Sequence, residues 1–386
     1  MPLPLPGKSP EPGAAILIAA ASGRALAGAA RRAGYRPLVA DFYGDMDTCE
    51  FAAAHRLIDD GFDLGFRRET LLPALEDLAA REAPCGLVYG MGFEDRTDIL
   101  DELSEHFPLF GNRPEVVRRV KDPSALAQLC EDLGVPHPAI QTARPDDCAN
   151  WLVKSIGGAG GTHVAPAATA YATEEGTYYQ RIAAGEPVSL LFLADGAHAL
   201  ALGASRQWTQ PTPSEPFRYG GCLRPANLPD PLAQKLAALA DALASACALR
   251  GLNSLDLLAE GDTITLIEIN PRPGATLDIF EDRKGTLFLA HLEACLGKLP
   301  PVKPAFDGAA AAAVAFARGE IASMPRLDWP DWAADRQNPR TRLQPDDPVC
   351  TVKAHAGEPA RARRLVDERT ALILDHIDSS AGRIPG

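Results

Sequence analysis

At 386 residues, with 46% apolar and 23% charged side chains, the chain is long enough for two or three domains with substantial cores and has ordinary soluble-protein composition. A formal charge of −13 argues against a general nucleic-acid surface and against attraction to an anionic membrane, and no apolar run approaches membrane-spanning length. Eight scattered cysteines without a CxxC pair exclude a small disulfide scaffold and point to a reducing, cytoplasmic setting.

Residues 1–13 (MPLPLPGKSPEPG) lack a basic region followed by an apolar core, so they read as a flexible, proline-rich tail and not as a secretion signal. Residues 14–20 (AAILIAA) form a short buried strand, 24–33 an alanine-rich helix closed by Gly34, and 36–42 the next strand. That strand, helix, strand order favours a parallel sheet, although the loop 21–24 lacks the GxGxxG spacing of a dinucleotide site. A helix over 67–81, despite Pro73, leads to a strand at 86–89. The small residues of Gly90-Met91-Gly92-Phe93-Glu94 then stand at a strand's carboxyl end, where open α/β sheets hold ligands; a plain tight turn explains them equally. Asp122-Pro123 opens a helix that ends at Gly134, and the first domain boundary falls near residue 120.

Trp151 to Lys154 reads as a strand, and Gly157, Gly158, Gly160 and Gly161 follow it. Glycines let backbone amides turn toward an anion without obstruction, and Lys154 offers a mobile positive charge to phosphates. This is not a Walker A loop, because the lysine precedes the glycines and no GK[ST] follows. A flexible surface turn is the competing reading, and His163 is taken as an ordinary loop residue. The YYQRI segment at 178–182 reads as a strand whose backbone faces an adenine edge, and Glu186, after Gly185, as an acceptor for ribose hydroxyls or simply an exposed carboxylate. Residues 200–206 make another strand, 207–217 a proline-rich loop, and Arg218 and Arg224 flank glycines in a segment suited to clamping a carboxylate or phosphoryl group. Equally, Arg218 solvates a loop. Residues 232–249 are a clear amphipathic helix.

The stretch 251–281, GLNSLDLLAEGDTITLIEINPRPGATLDIFE, carries the most chemistry. Residues 263–269 are a buried strand with a turn at Gly261-Asp262 and a stop at Pro271. Strict alternation puts Ile264, Leu266, Glu268 and Asn270 on one face. A carboxylate and an amide ending an apolar strand suit a hard divalent cation, which takes oxygen ligands together with substrate phosphates. Asp256, on the strand paired through the Gly261 turn, is a third oxygen ligand, and Arg272 presents a planar fork for a phosphate or carboxylate. Each of these residues alone reads as an ordinary polar strand end. From residue 300 onward two more strands, at 310–316 and 348–352, and a helix over 361–377 read as a small α/β appendage.

In order, LVKSIGGAGG at 152–161, YYQRIAAGEPVS at 178–189 and LNSLDLLAEGDTITLIEINPRPG at 252–274 resemble the ATP-grasp superfamily of carboxylate ligases. The resemblance implies an α/β protein with the ATP-grasp fold: an N-terminal Rossmann-like parallel-sheet domain (14–120), a lid subdomain (121–190), a catalytic core (191–300) and a C-terminal α/β appendage (301–386). It implies ATP between two subdomains, held by Lys121, Lys154, Gly157, Gly158, Gly160, Gly161, Gln180, Arg181, Ile182 and Glu186. Gln180 stands where relatives often carry glutamate. Magnesium, or manganese in its place, is implied on Glu268 and Asn270, with Asp256 as a more distant ligand or an orienter of Arg272. Arg272, Lys154, Arg218 and Arg224 are the implied catalytic set, and the implied partners are a small-molecule acid and an amine, with a homodimer compatible. Within the superfamily the N-terminal domain and the EINPRPGATLDIFE wording at 268–281 are similar to the carboligases related to tyramine-glutamate ligase, which serve one-carbon coenzymes such as methanofuran and tetrahydromethanopterin. Two alternatives stay open: a nucleotide-binding regulatory protein without turnover, and a biotin-carboxylase-like carboxylase, which the segment at 348 favours and the lack of a biotin-attachment region and of a bicarbonate signature disfavours.

Overall fold

The computed structural model describes residues 1–61, 65–169, 175–280 and 284–381, so Glu281, the last residue of the 251–281 stretch, lies outside the described residues. The first unit alternates short apolar strands with helices, which bury both faces of a sheet only when helices cover each side. It runs β1 (Ala15–Ala19), α1 (Arg24–Arg32), β2 (Arg36–Asp41), α2 (Met46–Phe51), β3 (Ala54–Leu57), α3 (Arg68–Arg81), β4 (Leu87–Tyr89), α4 (Thr97–His106), β5 (Leu109–Phe110) and α5 (Pro114–Lys121). The strands pair in parallel in the order β3-β2-β1-β4-β5. The winding reverses between β1 and β4, so the loops at 20–23 and 90–94 leave the sheet at its switch point, where such folds form a crevice. The segment expected as a loose tail lies along this unit: the Leu3 amide donates to the Ser104 carbonyl at 2.7 Å, and the Tyr35 hydroxyl to the Pro10 carbonyl at 2.7 Å.

Asp122 caps α6 (Pro123–Asp132), its carboxylate accepting from the Ala125 amide at 2.7 Å, and Pro123 occupies the first turn. A small antiparallel sheet follows, β6 (Ile140–Gln141), β7 (Trp151–Ser155), β8 (Val164–Pro166) and β9 (Thr177–Arg181), ordered β6-β9-β7-β8. The remaining chain builds β10 (Glu186–Asp195), β11 (Ala199–Thr209), β12 (Tyr219–Arg224), α7 (Asp230–Cys247), β13 (Arg250–Glu260), β14 (Thr263–Asn270), α8 (Leu277–Phe280), α9 (Thr286–Cys295), β15 (Ala309–Phe316), β16 (Ala333–Ala334), β17 (Pro348–Ala356) and α10 (Pro359–Ala381). Their strands form one sheet, β14-β13-β10-β11-β12-β15-β17-β16. The C-terminal α/β region is therefore continuous with the sheet that bears Glu268, joined to it through β12 and β15.

The helix α7 lays Leu232, Leu236, Leu239 and Leu243 against Leu255, Leu257, Leu266 and Ile269, giving the sheet a dry underside. Each such leucine contributes roughly 2 kcal/mol by burial. Two expectations need correction here. The strand β11 continues through Trp208 and Thr209, where a loop was expected from residue 207. The segment Arg218 to Arg224, expected as a flexible clamp, is mostly the strand β12, inside the large sheet. Its glycines serve packing, since a Cβ on Gly221 would stand 2.2 Å from the Trp208 indole. Among the described residues no helix is long and apolar enough to cross a membrane.

Candidate active site

The strands β13 and β14 form a hairpin through the Gly261 turn, as the sequence predicts, and Asp256 stands opposite Glu268, one residue beyond the partner that regular pairing from that turn would give it. The facing of β14 differs from strict alternation. Leu257 pairs with Leu266 and Asp256 with Glu268, so Ile267 is an extra residue, a β-bulge. The bulge leaves Ile264, Leu266 and Ile269 in the core and turns Ile267 and Glu268 to the opposite side, where they line a cleft. Side-chain amide nitrogen of Asn112 fastens the strand end, donating to the Pro271 carbonyl at 2.8 Å and to Asn253 Oδ1 at 2.7 Å.

One connected set of polar groups occupies this cleft. The Lys121 ammonium pairs with Glu268 and donates to Asn270 Oδ1 at 3.1 Å. Asn270 Nδ2 donates to Asp256 Oδ2 at 2.8 Å, which aims the amide oxygen toward Lys121. Asp256 thus sits behind Asn270, and its other oxygen meets Gln207 Nε2 at 3.4 Å. Arg272 Nε donates to Glu94 Oε1 at 2.7 Å, and Arg272 Nη2 lies 3.4 Å from Asn270 Oδ1. Across the cleft, buried Lys154 donates to Gln180 Oε1 at 3.2 Å and lies 5.9 Å from the Tyr178 ring. Lys121, Lys154, Gln180, Glu268, Gly157 and Gly158 all line the same cavity.

Burial and charge act against each other here. Desolvation pushes the Glu268 carboxyl up, but the Lys121 and Lys154 ammonium groups overcome it and hold it down at about 2. Burial lowers the Lys154 ammonium, with Glu268 pulling the other way. Asp256 is raised by burial and by its neighbour Glu268. Because the Glu268 pKa falls on folding, its contribution is present above the unfolded carboxylate range and is lost as pH falls toward 2. Wild-type protein is therefore expected to lose stability progressively between about pH 5 and pH 2, by up to about 3 kcal/mol from this group alone. Denaturant titrations across that range check it, and a Glu268→Gln variant should show a shallower slope.

The glycine-rich loop is packed down over the cleft. Gly157 has φ of 75°, and a Cβ there would stand 2.7 Å from the backbone of Glu94 and Asp95. A Cβ on Gly158 would meet the His163 ring at 2.3 Å, and one on Gly161 the Phe217 carbonyl at 2.0 Å; Gly160 faces open space. An alanine at 157 adds about 1–2 kcal/mol of left-handed strain to that collision. Gly157→Ala is expected to lift the loop, read as faster amide exchange across 157–161 with α10 unchanged.

Other expected site residues lie elsewhere. The Arg181 and Ile182 amides already donate to the Ala139 and Asn150 carbonyls, each at 2.8 Å, so an adenine contact from this segment has to use other groups. Glu186 is exposed, 3.9 Å from Arg206. The Arg218 guanidinium stacks 3.8 Å from the Phe316 ring centre and binds the Gln210 carbonyl at 3.0 Å and Asp346 Oδ1 at 3.2 Å. Arg224 donates to the Ile279 carbonyl and, at 3.1 Å, to that of Gly308. Both arginines are thus occupied in joining β12 to its surroundings. Conversely, His163 lines the cleft, and Glu94 is joined to its polar groups through Arg272. Nδ1 of His163 lies 3.3 Å from the Ala159 carbonyl, and burial lowers the ring's pKa. The sequence signal for Glu94 was its place after a parallel strand; His163 had only its position just beyond the glycines.

The donor set suits magnesium. One carboxylate and one amide oxygen already converge on an ammonium, a cation of equal sign, and hard ions complete their shells from phosphates and water. No group of three or more His, Cys, Asp or Glu gathers among the described residues, so a tight all-protein cage is not what this cleft offers.

Residues 120–276 match the family model of the ATP-grasp domain, a span that contains every cleft residue above except Glu94. The chain has the ATP-grasp fold. Biotin carboxylase of Campylobacter jejuni, solved as a β-γ-ATP complex, shares this ATP-grasp architecture with a TM-score of 0.67 at 15% identity, over 91% of this chain and 89% of that one. N5-carboxyaminoimidazole synthase of Aspergillus clavatus, solved with ADP and 5-aminoimidazole ribonucleotide, is similar with a TM-score of 0.67 at 14% identity, over 95% of this chain and all (100%) of that one. In sequence, the carbamoyl phosphate synthase large chain of Myxococcus xanthus (strain DK1622) is 23% identical over 293 residues, 69% of this chain. The chain spans only 26% of that relative's length.

Proposed function

We propose that this ATP-grasp chain is an enzyme that uses ATP to activate a small carboxylate as an acylphosphate and transfers the acyl group to a nitrogen nucleophile. The observation that carries the reading is the convergence of Lys154, Lys121, Glu268, Asn270 and Arg272 on one cleft beneath a glycine-rich loop. Lys154 and the loop amides bind the phosphates, and the low Gly157 loop keeps water from them. Glu268 and Asn270 would hold magnesium, which when bound neutralises charge on the phosphates; Lys121 then turns from Glu268 to the same anion. A carboxylate oxygen attacks the γ-phosphorus and ADP leaves; the amine nitrogen then attacks the carbonyl carbon, phosphate leaves, and the amine proton passes to phosphate or solvent. Arg272 steadies negative charge on the carboxylate and on the acylphosphate. Domain limits at 14–120, 121–190, 191–300 and 301–386 complete the proposal.

A second reading, that the carboxylate is bicarbonate and the enzyme a carboxylase, is favoured by the whole-length likeness to biotin carboxylase and N5-carboxyaminoimidazole synthase, C-terminal region included. The placement beside tyramine-glutamate ligase rests on the N-terminal domain and the wording of residues 268–281, and these likenesses add nothing to it. ADP release by the full chain, measured with MgATP and panels of acids or bicarbonate paired with amines, tests both. Stimulation of about tenfold or more by one acid and amine pair supports ligation, by bicarbonate the carboxylase. A stable phosphorylated product without an amine means a kinase, and nucleotide binding without turnover a regulatory protein.

A further inference from the structure

We propose that Glu94 is the positioning residue for Arg272, and that it ties the arginine fork to the loop that closes over the phosphates. This rests on the reading of Arg272 as the acyl-group clamp. Glu94 belongs to the N-terminal sheet, on the loop that leaves β4 at the switch point, 178 residues from its partner. Its side chain is 3% exposed and that of Arg272 8%, so the pair is shielded from water. One carboxylate oxygen accepts from the Gly92 and Phe93 amides at 2.9 and 3.1 Å, and the other accepts from Arg272 Nε at 2.7 Å.

The geometry fixes the fork on one edge. Nε is held by Glu94, while a Cβ on residue 274 would stand 2.6 Å from Nη1, so glycine there keeps that end of the guanidinium clear. Unheld, an arginine side chain samples many rotamers, and fixing one costs entropy each time substrate binds. The opposite side of the Glu94 turn is the floor on which Gly157 rests, with 2.7 Å separating its would-be Cβ from the Glu94 and Asp95 backbone. The glycine loop and the arginine fork thus meet on one turn.

Glutamine at 94 keeps the size but puts an NH2 donor either against the Arg272 Nε–H or against the two backbone amides, which releases the fork. Phenylglyoxal labelling of the full chain, mapped by mass spectrometry, reads the arginine directly. Arg272 should label about fivefold or more faster in Glu94→Gln than in wild type, with Glu94→Asp between them, because the lost charge-assisted bond is of that order. Buried Arg24, held by Asp278 and Asp335, should label at its wild-type rate, and MgADP affinity should stay within about threefold. An unchanged Arg272 rate in folded Glu94→Gln, or a parallel rise at Arg24, overturns the proposal. If Glu94→Gln does not fold, Glu94→Asp is scored by the same rates. Absence of MgADP binding in the wild type would strike the proposed function instead, leaving the labelling result to stand.

Discussion

Glu268→Gln is expected to reduce magnesium-dependent ATP turnover by about a hundredfold or more and to destabilise the protein as well. Glu268 is the carboxylate against which the Lys121 ammonium is buried, and glutamine offers that ammonium only an uncharged amide oxygen beside that of Asn270. Breaking a buried pair from one side costs several kcal/mol, but Glu268 keeps 24% of its side chain exposed, so water shares the burden and about 2 kcal/mol is the expected loss. Denaturant unfolding and steady-state ADP release measure the two effects separately. Turnover near wild type at limiting magnesium would remove Glu268 from the metal site whatever the stability change.

Lys154→Ala is expected to do the opposite to stability while weakening nucleotide binding. The Lys154 ammonium is desolvated and has the neutral Gln180 oxygen as its near partner, so its removal relieves a burial cost and Tm should hold or rise. Loss of a charged donor to phosphate should raise the MgADP Kd by about 10- to 100-fold, equivalent to about 1.4–3 kcal/mol. Calorimetric titration and a thermal scan of the same sample check both halves. A variant that loses stability and keeps its affinity would make Lys154 a structural residue.

The β13–β14 hairpin was legible because Gly261 and Pro271 mark its turn and end, and the glycines at 157–161 marked a loop, although a surface turn explained them as well. The Ile267 bulge was not. An added residue leaves an apolar strand looking just as apolar, and only the pairing partner shows that the face has switched. Arg218 and Arg224 misled because arginines beside glycines look mobile, whereas Gly221 is small to accommodate Trp208 and the segment lies within the large sheet. The Glu94–Arg272 pair joins residues that follow strands of two different sheets, 178 positions apart, a relation that no local pattern encodes.

Electron paramagnetic resonance titration of Mn2+ into the full chain, with and without ADP, tests most directly whether the oxygens of residues 268 and 270 grip a cation that bridges to a nucleotide. The account predicts about one Mn2+ taken up per chain when ADP is present, little without it, and loss of the ADP-dependent uptake in Glu268→Gln. Folded wild-type protein that takes up no Mn2+ in the presence of ADP, or a Glu268→Gln variant that takes it up as well as wild type, would contradict it.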